Sequence, residues 1–489
     1  MILTSVILTF AAIFAGGSEV EKPQILEGIV ISSPANPNLD DAVQTNYRSA
    51  SATQNNRTAY LEVKSGDSYR GVKLVFQHLD PEARKLDRYS HVKIDISGAT
   101  IEDNGRVIRD IPNGAVLSVE PGVKTDVPAR IRRVKEISDD DLYTWVTIPE
   151  SEFVFKDGSY CDILESYTGM MGTWQTLMTD ASGASFYAVF NTRVPWRRTG
   201  KGVPQGVGNV SGILVKSDLV RYGKVSAPQI RVLEEEGFDM EWNGKSSFTT
   251  ICEWNWNDNV DEFNTAEGSM HYIKRQKVLP DEGRGYVWTD FEASTYRGRD
   301  LNNPVVEPDK GYSRGHRGQV LKGSMQVRTM AKNWWNWADD CGNAVMIQFS
   351  TEDISGESLL LDFNFAAGDN NAYNTRMCPV YWGIEVSTDN RTFALLDIPP
   401  IVLRPLPWWE KDIDGVHYVT SQECGLGFTA HQVKLPKSLF GQKTVYMRIC
   451  PISRQSYTLA LEGSANWSIR PNHSNWTFIE FGTIAIRYR

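Results

Sequence analysis

YWGIEVSTDNRTFALL, residues Tyr381–Leu396, packs a strand, a turn and a return strand into one short stretch. Trp382, Ile384 and Val386 alternate with Gly383, Glu385 and Ser387, the period of a half-buried strand. Thr388-Asp389-Asn390-Arg391 supplies turn residues, and Phe393 and Leu395 resume the alternation on the way back. Similar strand patterns flank it at Val345–Phe349, Leu359–Phe365, Thr444–Ile449 and Phe481–Arg487. Val445, Met447 and Ile449, for example, alternate with Tyr446 and Arg448. With no helical periodicity between them, these segments predict an antiparallel β-sandwich over 238–489, with the hairpin in its middle.

Upstream the strands are shorter and the turns richer in Gly, Asn and Asp. Ile25–Ile31, Tyr60–Val63, Gly71–Phe76, His91–Ile96 and Arg106–Arg109, the last entered through Asp103-Asn104-Gly105, suit a small OB-like barrel over 23–125. The polar loop from Asn36 to Arg57 is long enough to be functional or mobile. A second set, Trp145–Ile148, Trp174–Met178, Ser185–Phe190, Val210–Val215 and Pro228–Val232, predicts a second OB-like barrel over 126–237, with Asp180-Ala-Ser-Gly183 as a turn. Gly212-Ile-Leu-Val215 echoes Gly28-Ile-Val-Ile31 and hints at an internal repeat. The fold expectation is therefore all-β: two small OB-like barrels, then a jelly-roll-like sandwich.

Two resemblances sit on these residues. LMTDASG (177–183), VPQGVGNVSGIL (203–214) and QIRVL (229–233) resemble a family of OB-like domains found in tandem in surface lipoproteins of Gram-negative bacteria. Farther on, LDFNF, WGIEVSTD, VKLP, VYMRI and GTIAI, in that order, resemble jelly-roll domains attached to bacterial surface proteins. Those domains are generally binding or anchoring modules, so the second resemblance implies recognition rather than catalysis.

The address reads as export. Ile2 to Ala15 is apolar except for Thr4, Ser5 and Thr9, and too short to span a bilayer, so residues 1–22 are expected to be a leader. No Lys or Arg follows Met1, and Gly17 stands where a lipobox would have its lipidated Cys. The expected location is the cell surface or outer membrane, or the medium, with membrane contact only through an N-terminal lipid anchor if one is present.

Composition narrows the partners. A net charge of −9 argues against a chain whose main partner is a nucleic-acid backbone. The basic group Arg130, Arg132, Arg133, Arg193, Arg197, Arg198 and Lys201, with Trp196 inside it, would be the exception if it formed one face on the second barrel. The six cysteines contain no C-x-x-C pair, and the seven histidines form neither H-E-x-x-H nor H-x-H. No G-x-S-x-G elbow and no P-loop occurs. The acid pair Asp339-Asp340 and the triplet Asp139-Asp-Asp141 read as solvated loops, the triplet after Ser138 also as the start of a short helix. No catalytic residue and no cofactor are expected. Asp369-Asn370-Asn371 after Gly368 fits a structural calcium loop or simple turn chemistry.

Tryptophan carries the sharpest functional signal. Twelve of fifteen lie beyond Gly237. Asn333-Trp334-Trp335-Asn336-Trp337 and Pro405-Leu-Pro-Trp408-Trp409-Glu410 put adjacent indoles on opposite faces if extended. Indoles flanked by Asn, Asp and Glu suit pyranose rings, so Trp334, Trp335, Trp337, Trp408 and Trp409 are the candidate carbohydrate contacts. The competing reading is that these large side chains fill the sandwich. The functional expectation is a non-catalytic binding protein for extracellular glycan. A structural or adhesive protein that binds a surface protein is the second reading, and an extracellular hydrolase without a recognisable motif the third.

Overall fold

The computed structural model describes residues 24–40, 43–46, 49–51, 53–78, 84–156, 158–161, 173–191, 193–199, 201–216, 227–256, 270–272, 277–289, 292–297, 323–328, 345–368, 381–402, 409–413, 416–420, 429–452 and 478–489. The protein is all-β, with no helix of seven or more residues among the described residues. The two resemblance stretches and the strand alternation therefore sit on strands and their turns.

In the first barrel Ile25–Val30 is hydrogen-bonded antiparallel to both Thr58–Ser65 and His91–Asp95. Thr58–Ser65 pairs with Ser68–Phe76, which runs parallel to Val107–Ile111. Thr100–Glu102, which follows the fourth strand after a turn, pairs antiparallel with Val107–Ile111. A sixth strand, Val116–Glu120, adds to the fourth. The second barrel repeats this wiring. Trp145–Phe153 pairs with Thr173–Asp180 and Gly208–Val215, Thr173–Asp180 with Ser185–Asn191, and Ser185–Asn191 runs parallel to Gln229–Arg231. Gln229–Arg231 returns to Gly208–Val215, and Phe238–Met240 adds to that fourth strand as its counterpart does. Phe238–Met240, placed with the sandwich in the sequence reading, thus belongs to the second barrel's sheet; three residues are too few to show an alternation.

The repeat is real in topology, but the glycine echo is not its register. Gly28 lies on the first strand of its barrel and Gly212 on the fourth of the other. Each is a close-approach position: a Cβ on Gly28 would sit 2.9 Å from the Glu62 carbonyl oxygen, and one on Gly212 2.5 Å from that of Arg231. The same packing need produced the same short motif at unrelated places.

Alternation fills each barrel and then joins them. Leu61, Val63, Val72 and Leu74 point into the first core, while Tyr60, Glu62 and Gly71 point outward onto the second barrel. There Tyr60, Tyr143, Ile31, Leu39, Val189 and Ile213 form a shared apolar cluster. A Cβ on Gly71 would fall 2.1 Å from the Tyr143 carbonyl carbon, so only glycine permits this approach. Glu62, fully buried, accepts from the Arg130 guanidinium at 2.5 Å and from the Trp145 amide at 3.0 Å. Burial pushes its carboxyl above the usual range against the pull of Arg130.

The polar loop expected to be functional or mobile is anchored in this seam where it is described. Asn38 is fully buried, donates to the Val189 and Val232 carbonyls at 2.9 and 2.7 Å, and accepts from the Asn191 amide at 2.7 Å. Asn55 in turn accepts from the Leu39 amide at 2.6 Å. A buried amide with its bonds satisfied by another domain holds the two barrels in register.

The sandwich has two antiparallel sheets. The first runs Thr429–Leu435, Leu359–Gly368, Phe478–Tyr488, with Thr249–Trp254 and Gly323–Arg328 pairing along two halves of the long last strand. The second runs Tyr286–Thr289, Val345–Phe349, Val445–Pro451, Tyr381–Ser387, bordered by Ala394–Leu395 and Ile401–Val402. Trp254, Trp256, Phe363, Phe365, Phe481 and Ile484 from one side meet Val287, Ile347, Trp382, Ile384, Met447 and Ile449 from the other. The opening hairpin is thus next to a sheet edge rather than central, and its return strand is only Ala394–Leu395. Leu395 is 54% exposed, so its alternation does not face the core.

The outer side of the first sheet is docked on the second barrel. Leu177, Tyr187 and Val154 of the barrel pack against Ala430. Ser185 donates to Gln432 at 2.7 Å, and Ser358 to the Ser182 carbonyl at 3.0 Å in the turn Asp180–Gly183.

Candidate ligand-binding face

An OB barrel ordinarily takes oligonucleotides or oligosaccharides on the outer face of its second and third strands. Here the first barrel covers part of that face with the second through Tyr60, Glu62 and Gly71. The second barrel covers it through Val189 against the first barrel and through Leu177, Tyr187 and Ser185 against the sandwich. Members of the basic group are also already engaged. Arg130 is bound to Glu62, Arg132 to Asp141 at 3.2 Å, Arg133 to Glu150 at 3.1 Å and Lys201 to Glu235 at 3.6 Å. Arg197 is buried, and Trp196 packs edge-on against Tyr160 and Phe190 in the barrel core.

What remains is the outer side of the second sandwich sheet, which makes no hydrogen bond or ion pair to either barrel among the described residues. Residues directly opposite one another share a face, so the registers define two rows. The antiparallel bridge between Val278 and Val287 sets Lys277 opposite Trp288 and Leu279 opposite Tyr286. One row is then Leu279, Tyr286, Gln348, Tyr446 and Ser387. The next is Lys277, Trp288, Met346, Arg448, Glu385 and Leu395. With inter-strand steps of ~4.8 Å, the second row runs roughly 24 Å across the sheet, the rows lying ~6.8 Å apart.

The face is aromatic and polar together. Tyr286 is exposed, and Trp288, Tyr446, Met346 and Gln348 are half-buried. Lys277 donates to Gln348 Oε1 at 2.9 Å, with its ammonium 4.7 Å from the Trp288 ring centre and 5.0 Å from that of Tyr286. Arg448 lies 3.4 Å from Glu385 Oε2 and stacks 3.4 Å above Phe393; its Nε is buried without a hydrogen-bond partner. Gly383 makes room at the far edge. A Cβ there would meet Ile452 at 2.7 Å and Leu395 at 2.8 Å, so its absence lets those two side chains lie over the strand.

The indoles singled out in the sequence fall mostly elsewhere. Trp334, Trp335, Trp337 and Trp408 lie outside the described residues, as does Asp369-Asn370-Asn371. Trp409 opens the strand Trp409–Ile413, paired with Val416–Thr420. In sequence, the two tryptophan segments neighbour strands whose near ends, Val345 and Val402, lie at one end of this sheet. Val345, eight residues after Trp337, pairs with Ile449, which pairs with Ile384; Val402, six before Trp408, pairs with Tyr381. The Lys277–Trp288 row is the row next to that end. Trp288 has no neighbouring indole to single it out in the sequence, although its alternation with Val287 and Thr289 points it outward. Among the described residues no group of three or more His, Cys, Asp or Glu is placed to hold a metal ion.

No family model and no curated protein matches the chain by sequence. Among solved structures, one described as "Structural mimicry for functional antagonism" aligns with 44% of this chain and 91% of its own at 11% identity and a TM-score of 0.21. Another, on carbohydrate-binding modules of promiscuous specificity from the β-sandwich superfamily, aligns with 70% of this chain and 97% of its own at 8% identity and a TM-score of 0.18. Neither score establishes a common fold.

Proposed function

We propose that this chain is an exported, non-catalytic protein that binds extracellular carbohydrate on the outer side of its second sandwich sheet. The observation that carries the reading is the pair of rows holding Tyr286, Trp288 and Tyr446 beside Gln348, Arg448 and Glu385 on a sheet face with no hydrogen bond or ion pair to either barrel among the described residues. Apolar C–H faces of a sugar pack on such rings while hydroxyls take the amide, guanidinium and carboxylate. The row spacing suits a chain of rings laid across the strands. Export rests on the apolar stretch Ile2–Ala15, and Trp334, Trp335, Trp337, Trp408 and Trp409 are further carbohydrate contacts proposed from the sequence.

A polysaccharide array probed with the full chain tests this, with Trp288→Ala and Tyr446→Ala alongside. Each ring contributes on the order of 1 kcal/mol beyond burial, so each variant is expected to weaken retention by roughly tenfold while melting near the parent temperature. Retention unchanged in both variants, or no polysaccharide retained at all, overturns the reading. The exposed Leu279 and Leu395 at opposite ends of the rows favour a second reading, a protein partner on the same face. Surface protein captured through Leu279 and Leu395, with no glycan retained, would select it.

A further inference from the structure

The glycan reading leaves the charge of the ligand open, and one side chain bears on it. Lys277 is exposed, yet its ammonium is held in place by Gln348 and by the faces of Trp288 and Tyr286. Among the described residues it has no carboxylate partner, whereas Arg448, the other cation of the rows, is bound to Glu385 and stacked on Phe393. In a chain of net charge −9, a lysine fixed on an aromatic platform without a counter-ion among the described residues is a selective feature. Its three donors are only partly used by one amide oxygen and two rings. A sugar ring that displaces the ammonium from the indole face leaves that charge at the ring's edge, where a carboxylate would meet it.

Resting on the glycan reading, we infer that the preferred ligand is an acidic polysaccharide whose uronate carboxylate pairs with Lys277 while its ring stacks on Trp288. Tyr286 and Gln348 border the same position, so the carboxylate would meet a charge-assisted donor beside a ring contact. The net charge of −9 gives a polyanion no overall attraction to the chain, so the preference is assigned to this local contact.

The test compares polygalacturonate with the same polymer after carboxyl reduction, using the full chain, Lys277→Gln, Lys277→Arg and Trp288→Ala. Expected is retention of polygalacturonate that falls at least about tenfold on carboxyl reduction and by a similar factor in Lys277→Gln. Lys277→Arg should keep much of it, and added salt should weaken the parent more than Lys277→Gln. Equal retention of both polymers, lost only in Trp288→Ala, overturns the acidic preference and leaves carbohydrate binding standing. Retention of neither, together with no hit on a neutral array, removes both. Retention of polygalacturonate unaffected by Lys277→Gln overturns the assignment of the carboxylate to this residue.

Discussion

The guanidinium of Arg487 joins the sandwich to the second barrel: it donates to Asp362 at 2.7 Å and, from the same nitrogen, to the Val154 carbonyl of the barrel at 3.0 Å. Its other end nitrogen meets Glu253 at 2.8 Å. Asp362 is 1% exposed, and burial pushes its carboxyl up while Arg487 pulls it back. Burial would lower the basicity of Arg487, but the two carboxylates raise it. Removing one partner of such a buried set leaves a charge uncompensated and costs about 3–5 kcal/mol.

Arg487→Met is therefore expected to lower unfolding stability by about that amount at neutral pH, measured by urea titration. Without the arginine the folded-state pKa of Asp362 rises further above its unfolded value. A group raised in the fold favours folding below its unfolded pKa, and that stability is lost as pH rises through the folded one. The deficit of Arg487→Met should thus shrink as pH falls from 7 towards 4. A constant deficit over that range would show that Asp362 does not carry the effect.

Gly71→Ala is the corresponding probe of the seam between the barrels. Its Cβ would lie 2.1 Å from backbone at Tyr143, which has φ of 59° and is itself held by a hydrogen bond from its amide to the Leu214 carbonyl at 2.8 Å. Neither backbone can yield cheaply, so a loss of about 1–3 kcal/mol is expected, the size of other overpacking changes. A parent-like urea midpoint would mean that the barrels are not held at this distance in solution.

Much of this was readable from residue patterns, and what was not has a physical reason. Strand alternation located nearly every long strand and pointed Tyr446, Arg448 and Glu385 outward against Val445, Met447 and Ile384. It could not show that Lys277 comes to lie opposite Trp288, because a single bridge between Val278 and Val287 sets that pairing without a periodic run. The polar loop Asn36–Arg57 is long enough to read as functional or mobile; Asn38 finds its partners 151 to 194 residues away. Arg487 and Val154 are 333 residues apart, beyond any local pattern. The basic group could be read from sequence as one face, but the carboxylates that pair with Arg130, Arg132 and Arg133, namely Glu62, Asp141 and Glu150, follow no local pattern.

The hairpin turn was legible, and it gives a pH prediction. Asp389 accepts from the amides of Arg391 and Thr392, both at 2.8 Å, and from the Ser387 hydroxyl at 2.8 Å. Those bonds hold its carboxyl down to about 2, those from the two amides foremost. A depressed acid stabilises the fold above its unfolded pKa, and that contribution is lost as pH falls through the folded one. Asp389→Ala should melt earlier than the parent at pH 7, with Asp389→Asn between them because an amide oxygen can still accept. The gap between the parent and Asp389→Ala should narrow from pH 4 towards pH 2. Identical melting of all three at pH 7 would remove the turn from the stability of this sheet.

The last prediction separates tryptophans that hold the sandwich from those that meet a ligand. Trp382 is 2% exposed and packs edge-on against Phe365 and Phe481, so Trp382→Ala should cost about 3–5 kcal/mol and abolish retention only by unfolding the domain. Trp334, Trp335, Trp337, Trp408 and Trp409 flank strands that enter or leave the second sheet at the end beside the Lys277–Trp288 row. If their indoles extend the platform, alanine at one position of each pair should lower polysaccharide retention by roughly tenfold with melting unchanged. The partner at each pair, on the opposite side of an extended chain, should instead affect melting. Trp288→Ala supplies the reference for a pure platform loss and Trp382→Ala the reference for a pure core loss. Should all five variants melt as early as Trp382→Ala, these indoles are core and the platform ends at Trp288.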